Sequence, residues 1–122
     1  MKTITAGETI NIKIEAKDDQ SGISRVEVEA NNLRDLPGSP SFEAIGSLEW
    51  PQDAESVNVS IEIPEYIPNS KWKIASITIT NGTGRVIKYS PSKDFPPILF
   101  NVKAKEGADI TPAELISVTL LD

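Results

Sequence analysis

Neither cysteine nor histidine occurs among the 122 residues of this chain. The first absence excludes disulfides, thiol nucleophiles and thiolate metal sites. The second removes the commonest general base and zinc ligand, and with it every Ser-His-Asp or Cys-His arrangement. A cysteine-free chain fits either redox compartment. Long apolar runs are missing too: none approaches the roughly 20 residues that cross a bilayer. The first ten residues, MKTITAGETI, lack the apolar stretch of a signal peptide, so Met1 reads as the start of a cut fragment or of a cytosolic protein. Basic residues are in short supply, 12 Lys and Arg against 18 Asp and Glu, for a net charge of −6. Binding to nucleic acid or to anionic lipid draws on cationic side chains, so neither is an expected partner.

What is present describes one globular domain. Apolar residues are 39% and charged residues 25% of the chain, the latter spread rather than gathered in blocks, which argues against disorder. A chain of this length buries roughly two-thirds of the surface it exposes unfolded. Its dominant pattern has period two. Thr9-Ile10-Asn11-Ile12-Lys13-Ile14-Glu15-Ala16 alternates polar and apolar without a fault, as do Arg25-Val26-Glu27-Val28-Glu29-Ala30 and Ser56-Val57-Asn58-Val59-Ser60-Ile61-Glu62-Ile63. Successive strand side chains point to opposite faces, so each segment has one apolar and one wet face, the habit of antiparallel sheets.

In residues 71–80, Trp72 and Ile74 share one phase while Ile77 and Ile79 share the other. One strand with all four inward needs an extra residue at Ala75-Ser76, a β-bulge; the alternative is a break in the strand. Residues 85–90, with Ile87 and Tyr89 inward, and 98–104, with Ile98, Phe100 and Val102 inward, are two further strands. Residues 42–50 form a weaker candidate without steady phase. Turn signals separate these segments: Asp18-Asp19-Gln20-Ser21-Gly22, Leu36-Pro37-Gly38-Ser39-Pro40, Asn69-Ser70, Asn81-Gly82-Thr83-Gly84 and Pro96-Pro97. Seven or eight short strands without convincing helical periodicity predict an all-β, antiparallel sandwich or a small barrel.

Two runs carry a family resemblance. AGETINIKIEAKDDQSGISRVEVEA resembles the opening of bacterial immunoglobulin-like repeats, in which a Gly-led strand ends in Asp-Asp-x-Ser-Gly-Ile/Val. IPEYIPNSKWKIASITITNGTGRVIKYS resembles the second half of that unit, where a Pro-containing corner leads to an aromatic-x-Ile strand, then Ile-x-Ile, then a turn written Asp-x-Ala-Gly-Asn. The chain keeps Asp18, Asp19, Ser21, Gly22, Trp72, Ile74, Ile77, Ile79 and Gly84. It departs at the turn, with Asn81, Thr83 and Arg85 in place of Asp, Ala and Asn. The resemblance spans residues 4–104 in outline and is specific only in these two runs. It implies an immunoglobulin-like antiparallel β-sandwich with Greek-key connections, and a non-catalytic stalk, spacer or adhesion module, tandemly repeated in a large secreted or cell-surface bacterial protein, with neighbouring repeats as its partners. Two other functions compete with it: a carbohydrate-binding module of a secreted glycan-active enzyme, and a small β-domain of a phage or virion assembly.

No catalytic, metal or cofactor residues are assigned, but several side chains are candidates. Asp18 and Asp19, with Gln20 and Ser21, place oxygens in one loop as a calcium site would; the plainer reading is that they cap the turn. Glu27, Glu29 and Glu62 supply paired acids of the kind used in glycoside hydrolysis, yet strand phase turns them outward, where nothing raises an acid's pKa. Trp72, in phase with Ile74, belongs to the core. Trp50, outside clean alternation and before Pro51, either plugs an open end of the sandwich or offers a face to a sugar or partner. A Lys–Asn or Lys–Asp crosslink is disfavoured, because Lys13, Lys17, Lys73, Lys88 and Lys103 all fall on the polar phase.

The sandwich is expected over residues 1–105 and a linker followed by one more strand over 106–122. Ile116, Val118 and Leu120 alternate with Ser117 and Thr119, resembling the start of a next repeat, whereas residues 1–8 lack a first strand. Thr111-Pro112-Ala113-Glu114 resembles a helix start, but the β-branched run that follows argues for a strand. Residues 113–121 are therefore expected to fill the vacant first-strand place, in their own domain or by exchange into a strand-swapped dimer.

Overall fold

The computed structural model describes residues 1–34, 40–107 and 114–121. It has eight strands and, among the described residues, no helix. They are β1 (Lys2–Thr5), β2 (Thr9–Glu15), β3 (Ile23–Asn32), β4 (Glu43–Glu49), β5 (Ser56–Glu62), β6 (Ser70–Asn81), β7 (Val86–Tyr89) and β8 (Leu99–Lys103). The larger sheet has the order β1-β8-β6-β3-β4, with β7 also paired to β6; the smaller is β2-β5. The fold is thus an all-β, sandwich-like arrangement of two sheets. Every ladder is antiparallel except β1–β8, which runs parallel, so the larger sheet is mixed.

Alternation becomes packing across the two sheets. In the smaller sheet Ile10, Ile12 and Ile14 stand opposite Ile61, Val59 and Val57, and all six are buried. Val26, Val28 and Ala30 of β3 face Ile79, Ile77 and Ile74 of β6. Each fully buried Ile or Val is worth about 1.5–3 kcal/mol relative to exposure. The core also holds Trp72, tilted against Phe100 with ring centroids 6.0 Å apart. The Trp72 Nε1–H donates to Ser70 Oγ at 2.9 Å, so burial of the indole leaves no unpaired donor.

The bulge forms where the phases conflict. Glu29 pairs with Ser76 and Ala30 with Ile74, so Ala75 is the extra residue on β6. Trp72 and Ile74 before it, and Ile77 after it, are all buried, and Ile79 packs against the same core.

One side of the sandwich closes tightly. A Cβ on Gly46 of β4 would lie 2.3 Å from the Ser60 carbonyl oxygen of β5, so only glycine allows these backbones to approach so closely. The opposite side stays open. β2 pairs with β5 on one edge, and among the described residues no strand pairs with its other edge.

Three expectations are corrected. The N-terminal segment does not lack a strand: β1 pairs with β8 from Lys2↔Phe100 to Thr5↔Lys103. Residues 114–121 do not pair within their own domain; they lie extended and exposed, as neither helix nor strand. The place beside β8 is already taken by β1. Ile87 and Ile98, expected inward, are 46% and 37% exposed, because they border the open side. The turn expected at residues 36–40 falls largely outside the described residues, as do residues 108–113 with the proposed helix start.

Candidate functional site: the braced turns beside Trp50

The two runs that carry the family resemblance meet at one end of the sandwich. The Asp18 carboxylate accepts from the backbone N–H groups of Gln20 and Ser21 through Oδ1, each at 3.0 Å. Its other oxygen accepts from Asn81 Nδ2 at 3.3 Å. The Ser21 and Gln20 amides, helped by Asn81, hold this carboxyl below its ordinary value of 3.8. Asp18 is therefore a turn cap with both oxygens engaged, as its sequence position suggested. Asp19, beside it, is exposed.

Asn81 organises the facing turn. Its Oδ1 accepts from the N–H groups of Thr83 and Arg85, at 3.1 and 2.9 Å, and from Thr83 Oγ1 at 2.8 Å. The two turns also join directly, because the Gly82 N–H donates to the Gly22 carbonyl at 3.0 Å. A Cβ on Gly82 would lie 2.0 Å from the Ser21 carbonyl oxygen, which accounts for glycine there. Asn81 gives Asp18 a donor, where a carboxylate would repel it. Among the described residues no cluster of three acidic side chains is placed to share a metal ion.

Trp50 closes this end from the other side. Its ring is buried in the core, its backbone N–H donates to Ser24 at 2.9 Å, and its Nε1–H donates to the Ala54 carbonyl at 2.9 Å. Asp53, with φ of 63°, makes the tight return that brings Ala54 back to the indole. Trp50 is a plug, and its polar handle is spent internally rather than offered outward. Between plug and turns lies an open cavity of about 530 Å³, bordered by Lys17, Asp18, Ser21, Trp50, Gln52 and Asp53. Nothing in the local sequence around Gln52 and Asp53 marks them as neighbours of Asp18.

Of the three candidate acids, Glu62 is kept apart from the neighbouring pair Glu27 and Glu29. Glu27 and Glu29 lie on the outer face of β3, and Glu62 on the outer face of β5 in the other sheet. Glu29 Oε2 instead accepts from the buried Ser76 hydroxyl at 3.4 Å. Lys13, Lys17, Lys88 and Lys103 are exposed and Lys73 half-buried.

Comparison with models of protein families, with curated proteins and with solved structures finds no match for this chain.

Proposed function

We propose that this chain is a non-catalytic, immunoglobulin-like structural or adhesive module, a spacer or stalk unit of a larger bacterial protein exposed at the cell surface or secreted. The observation that carries the reading is the direction of its outermost strands. β1 and β8 are parallel and adjacent, so the chain comes in and goes out along the same heading. A unit built this way joins to the next head to tail, without doubling back. Its chemistry agrees with that role: among the described residues the core is aliphatic and aromatic, and the conspicuous carboxylate and indole at one end cap a turn and plug the core. The carbohydrate-binding alternative rests on an outward face at Trp50, and Trp50 is turned inward.

The test is a fusion of full-length copies, residue 122 of each joined to Met1 of the next, studied by small-angle scattering. The longest dimension is expected to grow by a near-constant increment per copy, and neither fusion nor single copy turns over a panel of glycans and esters. Copies that collapse into a compact particle would overturn the spacer reading. So would a turnover that survives purification and vanishes with Glu27→Gln, Glu29→Gln or Glu62→Gln.

A further inference from the structure

The sandwich has an open side and the chain has an unplaced apolar segment. The open side is a groove of about 470 Å³ between the unpaired edge of β2 and the end of the larger sheet, continuous along residues 12–17 and floored by Ile77, Ile79, Tyr89, Phe95 and Ile98. It is one strand wide in character: an edge with unsatisfied backbone donors and acceptors above an apolar floor. The unplaced segment is 114–121. Ile116, Val118 and Leu120 are 85%, 82% and 85% exposed, and they alternate with the exposed polar Ser117 and Thr119. Alternation holds over Ile116–Leu120, with Leu115 and Leu121 at the two ends of the polar phase; an alternating segment with no ladder partner is half of a sheet.

We propose that residues 115–121 of a second copy of this chain add as a β-strand to the free edge of β2. Ile116, Val118 and Leu120 point into the groove, over Ile79, Tyr89 and Phe95, and Ser117 and Thr119 point to solvent. The segment is long enough to cover the run along the groove, residues 12–17. The segment carries no charge from Leu115 to Leu121, so it brings no ion of its own into the groove, whose charged neighbours Lys13, Glu15, Lys17 and Asp94 stand along its border. A second copy is favoured over the segment's own domain because residues 114–121 lie exposed and outside their own groove. This inference stands apart from the spacer reading, because strand addition between copies is compatible with any function of the domain.

The experiment uses the full chain and its variant Ile116→Asp/Val118→Asp/Leu120→Asp. The changes sit on exposed residues and leave the sandwich intact. In sedimentation equilibrium the wild type is expected to gain mass with concentration toward a dimer or beyond, while the variant stays monomeric. In a second measurement the variant, labelled with nitrogen-15, is mixed with unlabelled wild type. Amide shifts are expected at residues 12–17 and at Tyr89 and Phe95, since the variant still offers a groove but no competent strand. Three results would overturn the proposal: a wild type monomeric at millimolar concentration, a variant that associates as the wild type does, or shifts that fall elsewhere on the surface.

Discussion

Asp18 stabilises the folded chain only while it is ionised. Its folded pKa is lowered from 3.8 by the Ser21 and Gln20 amides, so its contribution is full above the unfolded value and is lost as pH falls through the folded one. Asp18→Ala is expected to melt below the wild type at neutral pH. The gap should narrow steadily below about pH 4; thermal melts at intervals from pH 7 to about pH 2 check this, and a gap independent of pH would contradict the capping role. Gly46 makes a different demand, one of space. Gly46→Ala places a methyl 2.3 Å from a backbone oxygen of β5, which cannot move away as a flexible side chain would. A loss of about 1–3 kcal/mol is expected in urea denaturation, against little change for Ser47→Ala on the exposed phase of the same strand.

At the scale of elements, legibility followed the contrast between the two faces of each strand. β2, β3 and β5 were plain in the sequence because Ile or Val alternates with charged and polar residues throughout. β4 was obscure because its inward set is Ala44, Gly46 and Leu48, while Ile45 points out at 54% exposure. A glycine chosen for close approach carries no apolar signal. β1 was missed because Lys2-Thr3-Ile4-Thr5 has one buried apolar residue and its partner lies near the far end of the chain. The Asp18 cap could be read locally, but its bond to Asn81 could not, since 63 positions separate them. Ile87 and Ile98 were assigned inward on phase alone, and phase does not reveal whether anything covers that face. The bulge was legible because two apolar pairs in opposite phase admit few other arrangements. Deleting Ala75 removes it and leaves Trp72, Ile74, Ile77 and Ile79 in one unbroken phase, whereas deleting Lys73 puts Trp72 and Ile74 on opposite faces. Withdrawing one such side chain from the core costs about 1.5–3 kcal/mol; denaturant unfolding followed by near-ultraviolet circular dichroism is expected to show that loss for the Lys73 deletion, while the Ala75 deletion is the milder of the two.

At the scale of the molecule, the parallel ladder between β1 and β8 decides how the domain bears a mechanical load. A tension applied ahead of Lys2 and beyond Lys103 drags the two strands lengthwise past each other, so all the rungs between them are strained together. Held instead at Glu15 and Ser56, which face each other at the end of the β2–β5 ladder, the chain would be torn open one rung at a time. Because the chain has no cysteine, a pair introduced at either set of positions gives unique handles for optical tweezers. Rupture is expected at clearly higher force through positions 2 and 103 than through 15 and 56. Equal forces would mean that the first ladder is not what resists. A molecule that yields easily to peeling and stubbornly to stretching is stiff in one direction only, the direction in which its own chain runs.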